Sequence, residues 1–353
     1  MDNLTHLQKL ILLGALALLS LLIVSISLLL NLSDLTRQAN HQLAGLNQSQ
    51  KISRLIQSLE KKRGLSAAVL TDVNISENKL LAVNKSVNEN FNVASSELPL
   101  VLKTKIKCPA VVKKWNYLNT KGLTLGIDKN YNLHSQLIAD LRSLQLQVAD
   151  YYSLLIMNDQ DSYYLTNSFL FTVPITLEVL GKVRGIGVSY LSNQNIKSRN
   201  AIEALLSNTD IPLSVFTENM SKINRELISD GGSISAEDLV QTIEQQINFI
   251  VRDILPIKAS INPLDFYNQS TDVIDLGYEF LDNALYLTLS DLLQNRVKQA
   301  NTQLTVSLGL SVILFFIVLY FMVGLHLAKK RSIKSLTKVA GKFYAGNLSA
   351  RVT

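Results

Sequence analysis

One cysteine in 353 residues, Cys108, excludes an intramolecular disulfide framework, so any folded domain in this chain must be held by its core. The four histidines, His6, His41, His134 and His326, are scattered with no ligand spacing, and with one thiol no metal site is indicated. No glycine-rich phosphate loop, nucleophile elbow or zinc-type cluster is present, so the chain is expected to be no enzyme and to carry no cofactor. Prolines are few, six in all, and long proline-free runs such as 33–72, 128–160 and 264–302 separate polar, turn-rich stretches. Strand signals are nearly absent: no sustained alternation and no Asn-Gly or Asp-Gly turn between apolar runs. With 47% hydrophobic and 18% charged residues, disorder is excluded as well.

Charge of one sign is missing from the C-terminal tail. Residues 327–353 hold Lys329, Lys330, Arg331, Lys334, Lys338, Lys342 and Arg351 and no acid. Removing those seven from the 34 basic residues leaves 27 against all 28 acidic ones, a balance of −1 for residues 1–326. The net +6 is therefore a property of one short tail, and a nucleic-acid footprint spread over a face is not supported.

What precedes the tail explains it. Leu10–Leu30 is an almost unbroken apolar run of 21 residues, and Leu304–Leu325 a second of 22. About 20 helical residues span a hydrocarbon core about 30 Å thick. Both runs read as transmembrane helices, at 10–30 and 304–326. The first is too long for a signal-peptide core and no small-x-small site follows it, so it is expected to remain as an anchor. Lys329, Lys330 and Arg331 directly follow the second run, which places the C-terminus, and with two spans the N-terminal residues 1–9, in the cytoplasm. Residues 31–303 then lie outside, in the periplasm of a bacterial inner-membrane protein.

The outer segment reads as an all-α, up-down bundle of about six to eight helices, the first and last continuous with the spans. "SDGGSISAED" at 229–238 is an interhelical turn, with Ser235 and Asp238 forming an imperfect capping box. In the first long helix an apolar stripe runs Leu43, Leu46, Ile52, Leu55/Ile56, Leu59 and on through positions 63, 66 and 70. Position 63 is Arg, followed by Gly64. An inward guanidinium needs an anionic partner to offset its desolvation, and a mid-helix glycine allows close backbone approach.

The same pair recurs 121 residues later, where "LEKKRGLSAAVL" at 59–70 aligns with "LGKVRGIGVSYL" at 180–191. Leu59/Leu180, Lys61/Lys182, Arg63/Arg184, Gly64/Gly185 and Leu70/Leu191 coincide, and Leu65/Ile186 is conservative. Arg184 also continues a stripe, Leu177, Leu180, Val188 and Leu191. The repeat suggests an internal duplication: two stacked four-helix-like halves, each with one Arg-Gly helix.

On these motifs the chain resembles a known family. "LIQSLEKKRGLSAAVLTD" at 55–72 resembles the opening of the nitrate- and nitrite-sensing (NIT) domain, and "VPITLEVLGKVRGIGVSYL" at 173–191 its second half as found in bacterial chemoreceptors. "DFYNQSTDVIDLGYEFLDNALYLTLSDLLQNRV" at 265–297 is similar to the receptor segment leading into the second membrane helix. The resemblance implies an all-helical, homodimeric sensor of a small oxyanion, with a binding site carried onto Arg63, Gly64, Ser66, Arg184 and Gly185. It places no further anion contacts, and nothing marks Arg199, Arg225 or Arg252. Lys62 stands where a Glu often precedes the family's arginine, so a salt-bridge partner at that position is missing.

Residues 332–352, "SIKSLTKVAGKFYAGNLSARV", resemble the first helix of a HAMP signal-conversion module, with Ile333, Leu336, Val339/Ala340 and Phe343 stepping at three and four. Ser332 replaces that family's usual proline. The sequence holds half of such a module, so either a truncated gene or a piece of a longer parent is expected; the parent would carry a cytoplasmic output domain and signalling partners, as a methyl-accepting chemotaxis receptor first and a histidine kinase or diguanylate cyclase next. A different class remains open from the residues alone: a bundle binding a protein or peptide, with the Arg-Gly pairs as packing devices.

Overall fold

A computed structural model describes residues 6–345 except 97, 106–107, 158, 225–233 and 257–259. Among the described residues the fold is all-α. Absence of proline before Pro99 and after Pro263 lets two helices run very long: α1, His6–Leu70, and α12, Leu287–Tyr344. Between them lie α2 (Glu77–Ser96), α3 (Leu100–Lys105), α4 (Cys108–Lys121), α5 (Ile127–Tyr151), α6 (Gln160–Asn167), α7 (Val173–Asn193), α8 (Ile196–Leu206), α9 (Asp210–Lys222), α10 (Ala236–Phe249) and α11 (Pro263–Phe280). That exceeds the six to eight expected, partly because widened π-helical turns, Ser168–Thr172 and Leu281–Tyr286, divide α6 from α7 and α11 from α12 without ending the rod. The Ser235 hydroxyl accepts from the Asp238 amide at 3.1 Å, which caps the start of α10, and donates to the Asp238 carboxylate at 2.8 Å, a variant of the capping box in which the carboxylate binds the hydroxyl.

The chain forms two compact units. One comprises the chain ends, residues 1–39 and 295–353; the other is Asn40–Gln294. The expected boundaries at 31 and 303 thus fall inside α1 and α12. In the terminal unit the apolar runs lie side by side. The Ser25 hydroxyl donates to that of Ser311 at 2.9 Å, and Gly14 leaves room for Met322. Their large side chains point outward, Leu13 70% exposed and Phe316 61%. A contiguous apolar surface of this kind marks a contact with a membrane or another protein. Both helices, mean hydropathy 2.7 over the most apolar window, are long and apolar enough to cross a membrane. α12 continues unbroken past Ser332 to Tyr344, as the missing proline predicts; residues 346–352, which complete the HAMP-like match, lie outside the described residues.

In the larger unit, α1 lends one stretch to each of three cores. Ile52, Leu55, Ile56 and Leu59 pack with Val87 of α2, Trp115 of α4 and Leu137, Leu141 and Val148 of α5, a four-helix group closed on one side by α3. Leu46 joins Phe169, Leu177, Phe216, Ile274, Phe280 and Leu285 of the later helices. Leu65 and Ala68 join Val183, Val188, Ile202 and Phe266. The stripes read from sequence are buried, the second along α7, except for half-buried Leu43 and Leu70 at the ends of the first. Because α1 feeds the later cores as well as its own, its Arg-Gly pair meets that of α7.

Candidate functional site

Arg63 and Arg184 are completely buried and are the two largest such side chains in the described chain. Each glycine opposite them has a spatial reason. A Cβ on Gly64 would lie 3.0 Å from Arg184 Nε and from the Tyr267 ring, and one on Gly181 3.1 Å from Arg63 Nη2. Gly185 makes the same room for Tyr131, whose ring lies 5.5 Å from the Arg63 guanidinium. The helices approach closely where the guanidiniums cross between them.

The anionic partner that an inward arginine requires comes from the chain itself. Arg63 Nη1 and Nη2 donate to Glu178 Oε1 and Oε2 at 2.9 and 2.8 Å, a bidentate pair across 115 positions, and Nη1 also reaches Ser135 Oγ at 3.1 Å. The partner stands on α7 and not at position 62, which is Lys. Arg184 has a different environment: Nη2 donates to the Glu60 carbonyl at 2.8 Å, Nη1 to Thr271 Oγ1 at 2.9 Å, and the guanidinium lies 5.2 Å from the centre of the Tyr267 ring. Glu60 itself accepts from the Tyr278 hydroxyl at 3.0 Å. A third cation, Arg142, donates to the Pro174 carbonyl at 2.9 Å and stands 4.0 Å from Glu60 Oε1.

The two carboxyls are driven apart. Burial pushes Glu60 up to about 8, and the charge of Glu178 adds to the rise despite Arg142 and Arg63. Burial opposes the charge of Glu178 too, but Arg63 outweighs it and takes Glu178 down to about 2. Burial thus favours the neutral form of Glu60 and Arg63 the ionised form of Glu178, and the three guanidiniums, with Lys182 3.3 Å from Glu178 as a fourth cation at the rim, outnumber the two carboxyls. Arg63 Nε, Arg184 Nε and Arg142 Nη1 are buried without hydrogen-bond partners. A surplus of buried donors and positive charge is what a small anion would neutralise.

A second group lies beside it on α1 and α5. Lys62, 3% exposed, is pushed down to about 8 by burial. His134, fully buried with Nδ1 3.0 Å from the Asn130 carbonyl, is pushed down to about 4 by burial, with Lys62 and Arg63 contributing. Ser66, one turn after Arg63, is buried with its hydroxyl unpaired.

Of the sequence-predicted residues, Arg63, Gly64, Arg184 and Gly185 come together, and Ser66 faces no hydrogen-bond partner. Glu60 and Glu178 lie inside the quoted motifs, yet nothing in the motif marked them as partners of an arginine; Glu60, three residues before Arg63, shares its face and was the readable hint. Arg142, Tyr131, Tyr267 and Tyr278 had no sequence signal. Arg199 and Arg252 form outward pairs with Glu203 and Asp253, and Arg225 lies outside the described residues.

The raised Glu60 sets a pH dependence. Between 4.5 and about 8 the folded protein binds a proton that the unfolded chain releases, so Glu60 favours folding at low pH and this contribution is lost as pH rises. His134 acts oppositely between about 4 and 6.5, and Glu178 only between about 2 and 4.5. From pH 6.5 to about 7.5 the Glu60 effect prevails; toward 8 Lys62, held down to about 8 by burial, begins to act oppositely. We expect stability to fall by about 1 kcal/mol between pH 6.5 and 7.5, read as a declining Tm of the full chain. Glu60→Gln should flatten the slope; an equal slope in the variant refutes the assignment.

No family model matches the chain, and no curated protein matches it. Among solved structures, one described as "Structure of the NasR transcription antiterminator" superposes with a TM-score of 0.52 at 16% identity, covering 89% of this chain and 88% of that one. At that identity the likeness speaks for the helical fold alone.

Proposed function

We propose that this chain is the sensory part of a bacterial membrane receptor for a small oxyanion, nitrate or nitrite. Residues 40–294 bind the anion on the periplasmic side. The apolar parts of α1 and α12 anchor the protein in the inner membrane with both termini in the cytoplasm, and α12 carries the signal into a HAMP-like helix and an output domain. One observation supports this above the rest: the guanidiniums of Arg63 and Arg184 are wholly buried beside each other, the largely buried Arg142 stands by Glu60, and Arg63 Nε, Arg184 Nε and Arg142 Nη1 have no hydrogen-bond partner. The resemblance to nitrate-sensing domains favours nitrate among anions, and a guanidinium fork matches its planar oxygens. Signalling requires that the anion favour one of two helix arrangements, since equal affinity for both shifts nothing.

The test is isothermal titration of the full chain in lipid nanodiscs with nitrate, nitrite and, at matched ionic strength, chloride. Saturable heat with nitrate or nitrite is expected. None at millimolar ligand would sink the proposal. The bidentate Arg63–Glu178 pair favours a second reading in which the motifs only pack helices and the bundle binds a protein; it predicts that Arg63→Ala loses stability while no anion binds parent or variant.

A further inference from the structure

The carboxylate of Glu178 occupies both arms of the Arg63 fork, the place a planar oxyanion would take. It is also the member of that pair with access to solvent: its side chain is 14% exposed, that of Arg63 is 0%. On its outer side waits Lys182, one helical turn along α7, 34% exposed and already 3.3 Å from Glu178 Oε1. Glu178 thus has an inner and an outer cation within reach of one side chain, and a shift from the first to the second is a matter of its own torsions. The inner position satisfies Arg63 when no ligand is bound; the outer one uncovers it without leaving a carboxylate unpaired. Ser135 Oγ, 3.1 Å from Arg63 Nη1, and the unpaired Arg63 Nε remain as donors to an incoming anion.

From this geometry we infer that Glu178 is a built-in competitor: it stands in for the ligand on Arg63, and an anion binds by displacing it outward onto Lys182. The inference rests on the oxyanion reading and deepens it, making Glu178 the residue that sets the affinity threshold and restricts the site to anions presenting a planar O–X–O edge, nitrate, nitrite and small carboxylates. Apparent affinity is the intrinsic affinity reduced by the fraction of molecules in which Arg63 is open.

Removing the competitor should therefore tighten binding, the opposite of what a contact residue or a merely structural one does. In nitrate titrations of the full chain in nanodiscs, Glu178→Gln is expected to lower Kd by about tenfold or more, the change that follows if the open fraction rises from about a tenth to near unity. It should also gain more Tm from saturating nitrate than the parent, because its unpaired Arg63 is then satisfied. Glu178→Asp, which keeps the charge but is too short to hold both arms of the fork, should tighten binding by a smaller factor and covers the case in which the Gln variant does not fold. If the folded variants bind nitrate no more tightly than the parent while the parent binds and Arg63→Ala does not, the competitor is refuted and the anion site stands. If neither the parent nor the Glu178 variants bind any planar anion, the site and the competitor fall together.

Discussion

Arg63→Ala should abolish nitrate binding by the full chain and lower its stability by about 3–5 kcal/mol, the range for removing one partner of a buried ion pair. The loss has two sources. Glu178 forfeits a bidentate partner at 2.8 and 2.9 Å, and a cavity replaces the largest fully buried side chain described. Lys182 remains beside Glu178, which points to the lower half of that range. Without the guanidinium, Glu178 no longer stays near 2; its carboxyl rises, and the stability that the parent loses on acidification from 4.5 toward 2 shrinks in the variant. Arg63→Lys separates charge from geometry, since an ammonium restores a positive charge but cannot fork. Nanodisc titration and thermal unfolding check both effects, and an Arg63→Ala protein that still binds nitrate at parental affinity would overturn the site.

Arg184→Ala is the second large effect, expected to cost about 2–5 kcal/mol by the cavity it leaves. Gly64 offers no Cβ to fill that space and the Tyr267 ring stacked on the guanidinium is itself buried, so collapse is restricted. Arg184 touches no carboxylate oxygen in its two hydrogen bonds, which run to the Glu60 carbonyl and Thr271. Its removal therefore strands no anion, and Arg184→Met, which refills the volume, should recover most of the stability. Nitrate affinity should stay low in both variants, because the guanidinium's charge is absent in each. Recovery of affinity by Met would show that Arg184 serves packing only. In a double-mutant cycle Arg63 and Arg184 should be non-additive, since both border Glu60.

The two arginines differ although their sequence motifs coincide. In the first motif the residue after Leu59 is Glu60; in the second the residue after Leu180 is Gly181. That one difference breaks the symmetry: Gly181 admits Arg63, while Glu60 brings a carboxyl to the middle of the enclosure. Burial there pushes it toward the neutral form, which leaves Glu178 as the main counter-charge.

Much of the architecture was determined by the sequence itself. Proline-free runs, three- and four-residue apolar steps and two uncharged stretches of about 20 residues dictate long helices, their buried faces and the two lipid-length segments, because periodicity and composition act locally. The stripe that passes through Arg63 and Arg184 says that both side chains face inward. What each meets there was decided only by tertiary structure. A helical period fixes the direction of a side chain but not the helix opposite, so the Arg63–Glu178 fork over 115 positions, the approach of Arg142 and the neutral state of Glu60 depend on packing and on the loss of water around them. The sequence required a counter-charge for two buried guanidiniums; the fold determined that one carboxylate of this same chain would serve, and left it within reach of a second cation.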